Sequence, residues 1–263
     1  MHDFAFIFAG FFVGLVVGLT GVGGGSLMTP ILIFFFGIKP YMAVGTDLLF
    51  AAFTKMGGTI KSARAGRVDW RVVAHLSAGS IPAALITLFL LDQVGAASVK
   101  VQSLMTTTLG LALLLTAAAT LYKAIRGKTA PTSVLAGQET LAATPRHWSL
   151  PLLFGAAIGA LVTLTSVGAG AIGVTVLMLL YPMLPLPRIV AADIAYAVPL
   201  TLVAGLGHAS LGSVDWPLLA KLLAGSLPGI WVGSHLMSRI PERVIRSLLS
   251  VLLAYAGVKL IAL

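Results

Sequence analysis

Cysteine is absent from the chain, which excludes disulfides, thiolate metal sites and cysteine nucleophiles and leaves the redox compartment open. Charge is scarce as well. Asp, Glu, Lys and Arg make up 10% of the residues, where a soluble domain carries roughly 25%, so a water-exposed surface cannot be built from them. Acids are the scarcer sign, 8 against 17 Lys and Arg, for a net charge of +9. In a soluble protein that balance points to nucleic acid. In a chain this apolar it reads as anchors for cytoplasmic loops under the positive-inside rule, and no nucleic-acid partner is expected. The five His are scattered and neither H-E-x-x-H nor G-x-G-D occurs. No metal site, cofactor or catalytic set is therefore expected, and the chain does not read as an enzyme. Its first residues, "MHDFAFIFAG", lack the basic region that opens a secretory signal, so their apolar run reads as mature structure.

What fills the chain is hydrophobic sequence, 58% of its 263 residues. Long apolar runs recur from end to end, which predicts an all-α polytopic membrane protein of the cell (inner) membrane, in contact with lipid throughout. Five apolar segments are expected at about 4–20, 26–37, 42–60, 71–91 and 98–122, and five more at about 149–165, 170–181, 188–207, 216–237 and 243–262. Between them lies one long polar stretch, "KAIRGKTAPTSVLAGQETLAATPRHW". The expected organisation is a first transmembrane repeat over 1–122, a cytoplasmic linker over 123–148 and a second repeat over 149–263.

The two halves resemble each other at an offset of about 146 residues. "LTGVGGG" (19–25) aligns with "LTSVGAG" (164–170), "VGTDL" (44–48) with "VAADI" (190–194), "GRVDW" (66–70) with "GSVDW" (212–216), and "AGSIP" (78–82) with "AGSLP" (224–228). Basic residues then orient them. Lys61, Arg64, Arg67 and Arg71 put the third connection inside, Lys123, Arg126, Lys128 and Arg146 the linker, and Arg239, Arg243 and Arg246 the last connection. The connections "DQVGAASVK" (92–100) and "HASLGSVD" (208–215) carry little positive charge and belong outside. "GRVDW" inside and its copy outside describe an inverted repeat, an architecture of transporters.

The second segment of each half is too short to span. Twelve helical residues rise about 18 Å against a hydrocarbon core of about 30 Å. Each is expected to pair with the segment before it through a Gly-rich break, as a re-entrant hairpin or as a broken helix; the sequence leaves both open. Backbone exposed at membrane depth is tolerated where it lines a cavity or is buried in protein, and a helix N-terminus binds anions through its free N–H groups. The breaks therefore predict a small anion site near the midplane, formed by Thr20, Gly21, Gly23, Gly24, Gly25 and Ser26 in the first half and by Thr165, Ser166, Gly168 and Gly170 in the second. Close helix packing is the competing explanation for these glycines, and it is the one that fits Gly10, Gly14 and Gly18 with Gly155 and Gly159, which form small-xxx-small stripes. "GAGAIG" (168–173) matches G-x-G-x-x-G but follows an apolar helix instead of a strand, so it does not read as a nucleotide loop.

Two acids lie well inside apolar segments, the repeat mates Asp47 and Asp193. A carboxylate at that depth is costly and has a functional or paired role; proton coupling or gating stands beside helix capping or pairing with Lys55. Lys55, eight residues after Asp47, either neutralises a bound anion or reaches to the cytoplasmic surface. His208 is expected in an outside loop, Asp69-Trp70 and Asp215-Trp216 at interfacial helix starts, and Ser80 and Ser226 beside the backbone freed by Pro82 and Pro228.

These residues resemble the sulfite exporter TauE/SafE family. The resemblance rests on "GLTGVGGGSLMTPIL", on "AVGTDLLFAAFTKMGGTIKSARAGRVDW" and on the weaker second copy, and it covers essentially the whole chain. The second copy departs from the first at Ser166 for Gly21, Ala169 for Gly24 and Ala192 for Thr46, so the site is not strictly symmetric. The resemblance implies a membrane transporter of sulfite, an organosulfonate or a related sulfur anion. Export agrees with the energetics, because one charge leaving across 100 mV is worth about 2.3 kcal/mol. An anion channel and, more remotely, a membrane-embedded enzyme are the other classes.

Overall fold

The computed structural model describes residues 2–20, 25–126, 149–168, 170–236 and 242–261. Among them every regular element is helical: α1 (His2–Thr20), α2 (Gly25–Phe36), α3 (Pro40–Arg64), α4 (Trp70–Val94), α5 (Val99–Arg126), α6 (Ser149–Thr165), α7 (Ala171–Leu180), α8 (Leu186–Ser210), α9 (Trp216–Leu236) and α10 (Glu242–Ile261). Each expected apolar segment has its helix. The long helices overrun the apolar stretches, as α3 does through Lys61, Ser62 and Arg64, because the hydrogen-bonded backbone continues into the polar interface after the hydrophobic side chains stop. Among the described residues three spans are long and apolar enough to cross a membrane, Trp70–Val94, Val99–Leu121 and Leu186–Ser210.

Local chemistry sets the ends. The Asp69 carboxylate accepts from the N–H groups of Arg71 and Val72 at 3.1 and 3.3 Å and starts α4. Asp215 does the same for α9 through Leu218 N–H at 2.9 Å. Trp70 and Trp216, the first residues of those helices, are 59% and 56% exposed, as interfacial aromatics should be.

Two helix pairs meet along runs of glycine. A Cβ on Gly10, Gly14 or Gly18 of α1 would run into the backbone of Leu222, Ser226 or Ile230 of α9, and Gly225, Gly229 and Gly233 return the contact to Ile7, Phe11 and Leu15. The numbers rise together, so α1 and α9 run parallel. Likewise Gly155 and Gly159 of α6 meet the backbone of Leu76 and Ser80 of α4, and Gly79 meets Leu152. With no hydrophobic drive between helices in lipid, such backbone approach is what dispersion and small residues supply. Ser80 and Ser226 thus act by being small. Contrary to expectation their hydroxyls bond no freed carbonyl; neither has a hydrogen-bond partner among the described residues.

The centre of the molecule is α3 crossing α8. Leu49 packs on Gly205, while Gly58 and Thr59 reach Ile194, so these two helices run antiparallel. α2 turns back on α1, its last residue Phe36 stacking on Phe6 with ring centroids 4.5 Å apart. α7 ends at Tyr181, whose hydroxyl is pushed up to about 12 by burial and then by the charge of Asp69, which places that end beside the α3–α4 turn. Two cores result: Val13, Met28, Leu32 and Leu222 lie in one, Val72, Leu76, Leu177 and Leu200 in the other.

Candidate functional site

The break after α6 is built from three residues in the left-handed half of backbone space. Ser166 has φ 58°, Gly168 132° and Gly170 139°. Glycine tolerates such angles at no steric cost; a Cβ on Gly168 would find ordinary contacts with Leu161 and Val162, so conformation and not space requires glycine there. Thr165 ties the break together. Its hydroxyl donates to Leu161 C=O at 2.6 Å and accepts from Val167 N–H at 3.1 Å, so it shapes the turn with the group expected to face a ligand. α7 then begins at Gly170 with no side-chain cap. In the first half Thr20 closes α1 and Gly25 and Ser26 open α2; Gly21, Gly23 and Gly24, and the side chains of Thr20 and Ser26, lie outside the described residues.

Both buried carboxylates lie against these helix starts. Asp47, fully buried on α3, accepts from the N–H of Thr29 at 3.2 Å and from its hydroxyl at 2.5 Å, both through Oδ2. Thr29 stands in the second turn of α2, so the carboxylate bonds close to the start of that helix. Charge-assisted bonds of this kind are short and strong. Oδ1 of Asp47 has no hydrogen-bond partner among the described residues, nor has Ser166 Oγ, which faces it from the other half's break. Asp193, 1% exposed on α8, lies against the first turn of α7: a Cβ on Gly173 would collide with its Oδ1. Lys55, 5% exposed, interacts electrostatically with Asp193 and, less strongly, with Asp47. Lys55 is held inside, not extended to the surface.

Two participants, Thr29 and Tyr196, went unnoticed in the sequence. Thr29 follows the glycines by one turn. Tyr196, three residues after Asp193 and so on its helical face, turns its buried hydroxyl towards Ser80 and Asp193. Neither the Tyr196 nor the Ser80 hydroxyl has a hydrogen-bond partner among the described residues. The spacing from Asp193 was the available signal for Tyr196. His208, expected in a loop, is instead fully buried in the last turn of α8, with Nε2 2.9 Å from Thr163 C=O. The α8–α9 turn also reaches α3, where Asp215 N–H donates to Thr46 Oγ1 at 3.1 Å. Beyond it a cavity of about 430 Å³ opens between Tyr41, Asp92, Gly95 and Gly212, at the end of the molecule where α3 begins. Among the described residues no three His, Asp or Glu side chains group as metal ligands.

Comparison with known proteins points to a family of membrane transporters. The family described as sulfite exporter TauE/SafE matches residues 6–260. A Bacillus subtilis protein described as probable membrane transporter protein YjnA is 36% identical over 97% of this chain and 98% of its own length. A second from that organism, probable membrane transporter protein YdhB, is 27% identical over 95% of this chain and 97% of its own. A probable membrane transporter protein of Xylella fastidiosa is 25% identical over 88% and 84%. No solved structure matches.

Proposed function

Because the chain belongs to the sulfite exporter TauE/SafE family of membrane transporters, we propose that it is a multi-pass carrier of the cell (inner) membrane for a sulfur-containing anion such as sulfite or an organosulfonate, bound between the beginning of α2 and the break after α6. One observation carries the reading. Thr29 of α2 and Ser166 of the opposite break converge on a single buried point, and that point holds the Asp47 carboxyl group. Donors arranged for one oxyanion suit another, and helix starts favour anions. Ser166 Oγ, without a partner among the described residues, is the hydroxyl most available to a sulfonate oxygen.

The two halves are inverted repeats, each opening with a re-entrant hairpin. The mates α3 and α8 cross antiparallel, and the contacts of α1 with α9 recur between α6 and α4 at matched positions, Gly14 on Ser226 and Gly159 on Ser80. The Phe6–Phe36 stack supports a hairpin that returns to the side it came from. Asp47 and Asp193, 0% and 1% exposed, favour a carrier that opens to one side at a time over an open anion channel.

Thermal unfolding of the purified protein with sulfite, sulfate, sulfoacetate, taurine or chloride tests this. A sulfur anion should raise stability by about 2.7 kcal/mol at a hundredfold excess over its Kd. Ser166→Ala should weaken that anion by about ten- to a hundredfold, the cost of one hydrogen bond to a charged group. Stabilisation by chloride alone would overturn the substrate class.

A further inference from the structure

We propose that the Asp47 carboxylate is a tethered stand-in for the transported anion, and that one proton binds Asp47 each time an anion takes its place. The inference rests on the anion-site reading above and adds its coupling.

Two donors near the start of α2 are taken: Thr29 gives both its N–H and its hydroxyl to Asp47 Oδ2. An anion arriving there must displace a carboxylate that is itself fully buried. The displaced group cannot carry its charge into solvent, and two anions at one buried point repel. Lys55 is already shared between Asp193 and Asp47 and is a single positive charge. The balance closes when the carboxylate takes up one proton: Asp47 COO⁻, H⁺ and RSO₃⁻ become Asp47 COOH beside RSO₃⁻. No bond to sulfur forms or breaks. The new O–H then donates to a sulfonate oxygen, which gives Asp47 Oδ1, without a partner among the described residues, a use.

The other titratable groups near this point are otherwise engaged. Lys55 on the same helix and Asp193 on α8 interact with each other; Tyr196 turns to Ser80 and Asp193; His208, beside Gly45, holds Thr163 C=O; Asp215 caps α9. Asp47 is the one that holds donors of α2. A monovalent anion that moves with a proton carries no net charge, so the membrane potential no longer biases it toward export, and the combined anion and proton gradients set its direction.

The test is calorimetric titration of the purified full chain with methanesulfonate, whose own charge is constant near neutral pH, in buffers of different ionisation enthalpy. Wild type should take up one proton per anion, with affinity falling about tenfold per pH unit on the alkaline side. Asp47→Asn, still able to accept from Thr29, should bind with no proton uptake and no pH slope, whereas His208→Gln should keep both. Proton-free binding by wild type, or a wild-type slope in Asp47→Asn, overturns the proposal while leaving the anion site standing. No binding to folded wild type at any pH sinks the anion site and this inference together. Proteoliposomes give a reading that depends on no variant: methanesulfonate uptake should follow an imposed pH gradient, and uptake driven by a potassium-diffusion potential alone would overturn the coupling.

Discussion

Gly173 shows how closely the buried acids are fitted. It lies in the first turns of α7, where Ala would ordinarily favour the helix by about 1 kcal/mol. Here a Cβ would meet Asp193 Oδ1, and overpacking a tight site costs about 1–3 kcal/mol. The clash should win, so Gly173→Ala is expected to lower the thermal midpoint. Combined with Asp193→Ala the penalty should shrink, a coupling of roughly 0.5–3 kcal/mol in a double-mutant cycle. Strict additivity would mean that the carboxylate does not rest on that turn. Gly168→Ala probes a different cause. Space is available beside Leu161 and Val162, but φ is 132°, so the loss should come from backbone strain of about 1–3 kcal/mol, and Gly168→Asn should lose less than Gly168→Val.

Among the helices, glycine serves two unlike purposes, and substitution should separate them. Gly14 lies on the backbone of Ser226, so Gly14→Leu must push α1 and α9 apart and should destabilise the protein by several kcal/mol, or keep it out of the membrane altogether. Gly57 of α3 has open space around its Cβ position, and Gly57→Ala should be neutral or stabilising by up to about 1 kcal/mol. Thermal unfolding in detergent reads both; equal damage from the two would remove the distinction between packing glycines and tolerated ones. Proline is used with similar economy. Pro40 opens α3 and Pro187 stands in the first turn of α8, where a missing N–H is harmless.

Across the whole molecule, each glycine-packed pair joins a helix from one half to a helix from the other, α1 with α9 and α6 with α4. The halves are therefore interlocked, and a transport movement that separates residues 1–122 from 149–263 as rigid blocks would break both contacts. The cross-half pairs are better moving units against the α3–α8 crossing. Orientation is open to a direct check because the chain has no cysteine. Ala65→Cys, in the α3–α4 turn, should label from the cytoplasmic side, and Leu211→Cys, in the α8–α9 turn, from the opposite side. Labelling of both from one side would refute the inverted repeat.

Composition and spacing were enough for the membrane and the ten apolar segments, because hydrophobic run length is a local property. Helix starts at Asp69 and Asp215 were legible for the same reason: a cap acts within three residues. What occupies the start of α2 was not legible. That Thr29 bonds Asp47, that Ser166 faces it from the far half, and that Tyr196 meets Ser80 depend on which helices cross and at what register. His208 was misplaced for a related reason, since a polar residue at the end of an apolar run looks like loop until a packed neighbour, here Thr163, supplies a carbonyl for its ring. Local sequence determines which segments leave water; only the packing of those segments decides which buried polar groups find each other, because in the membrane interior an unsatisfied donor or acceptor has no solvent to fall back on.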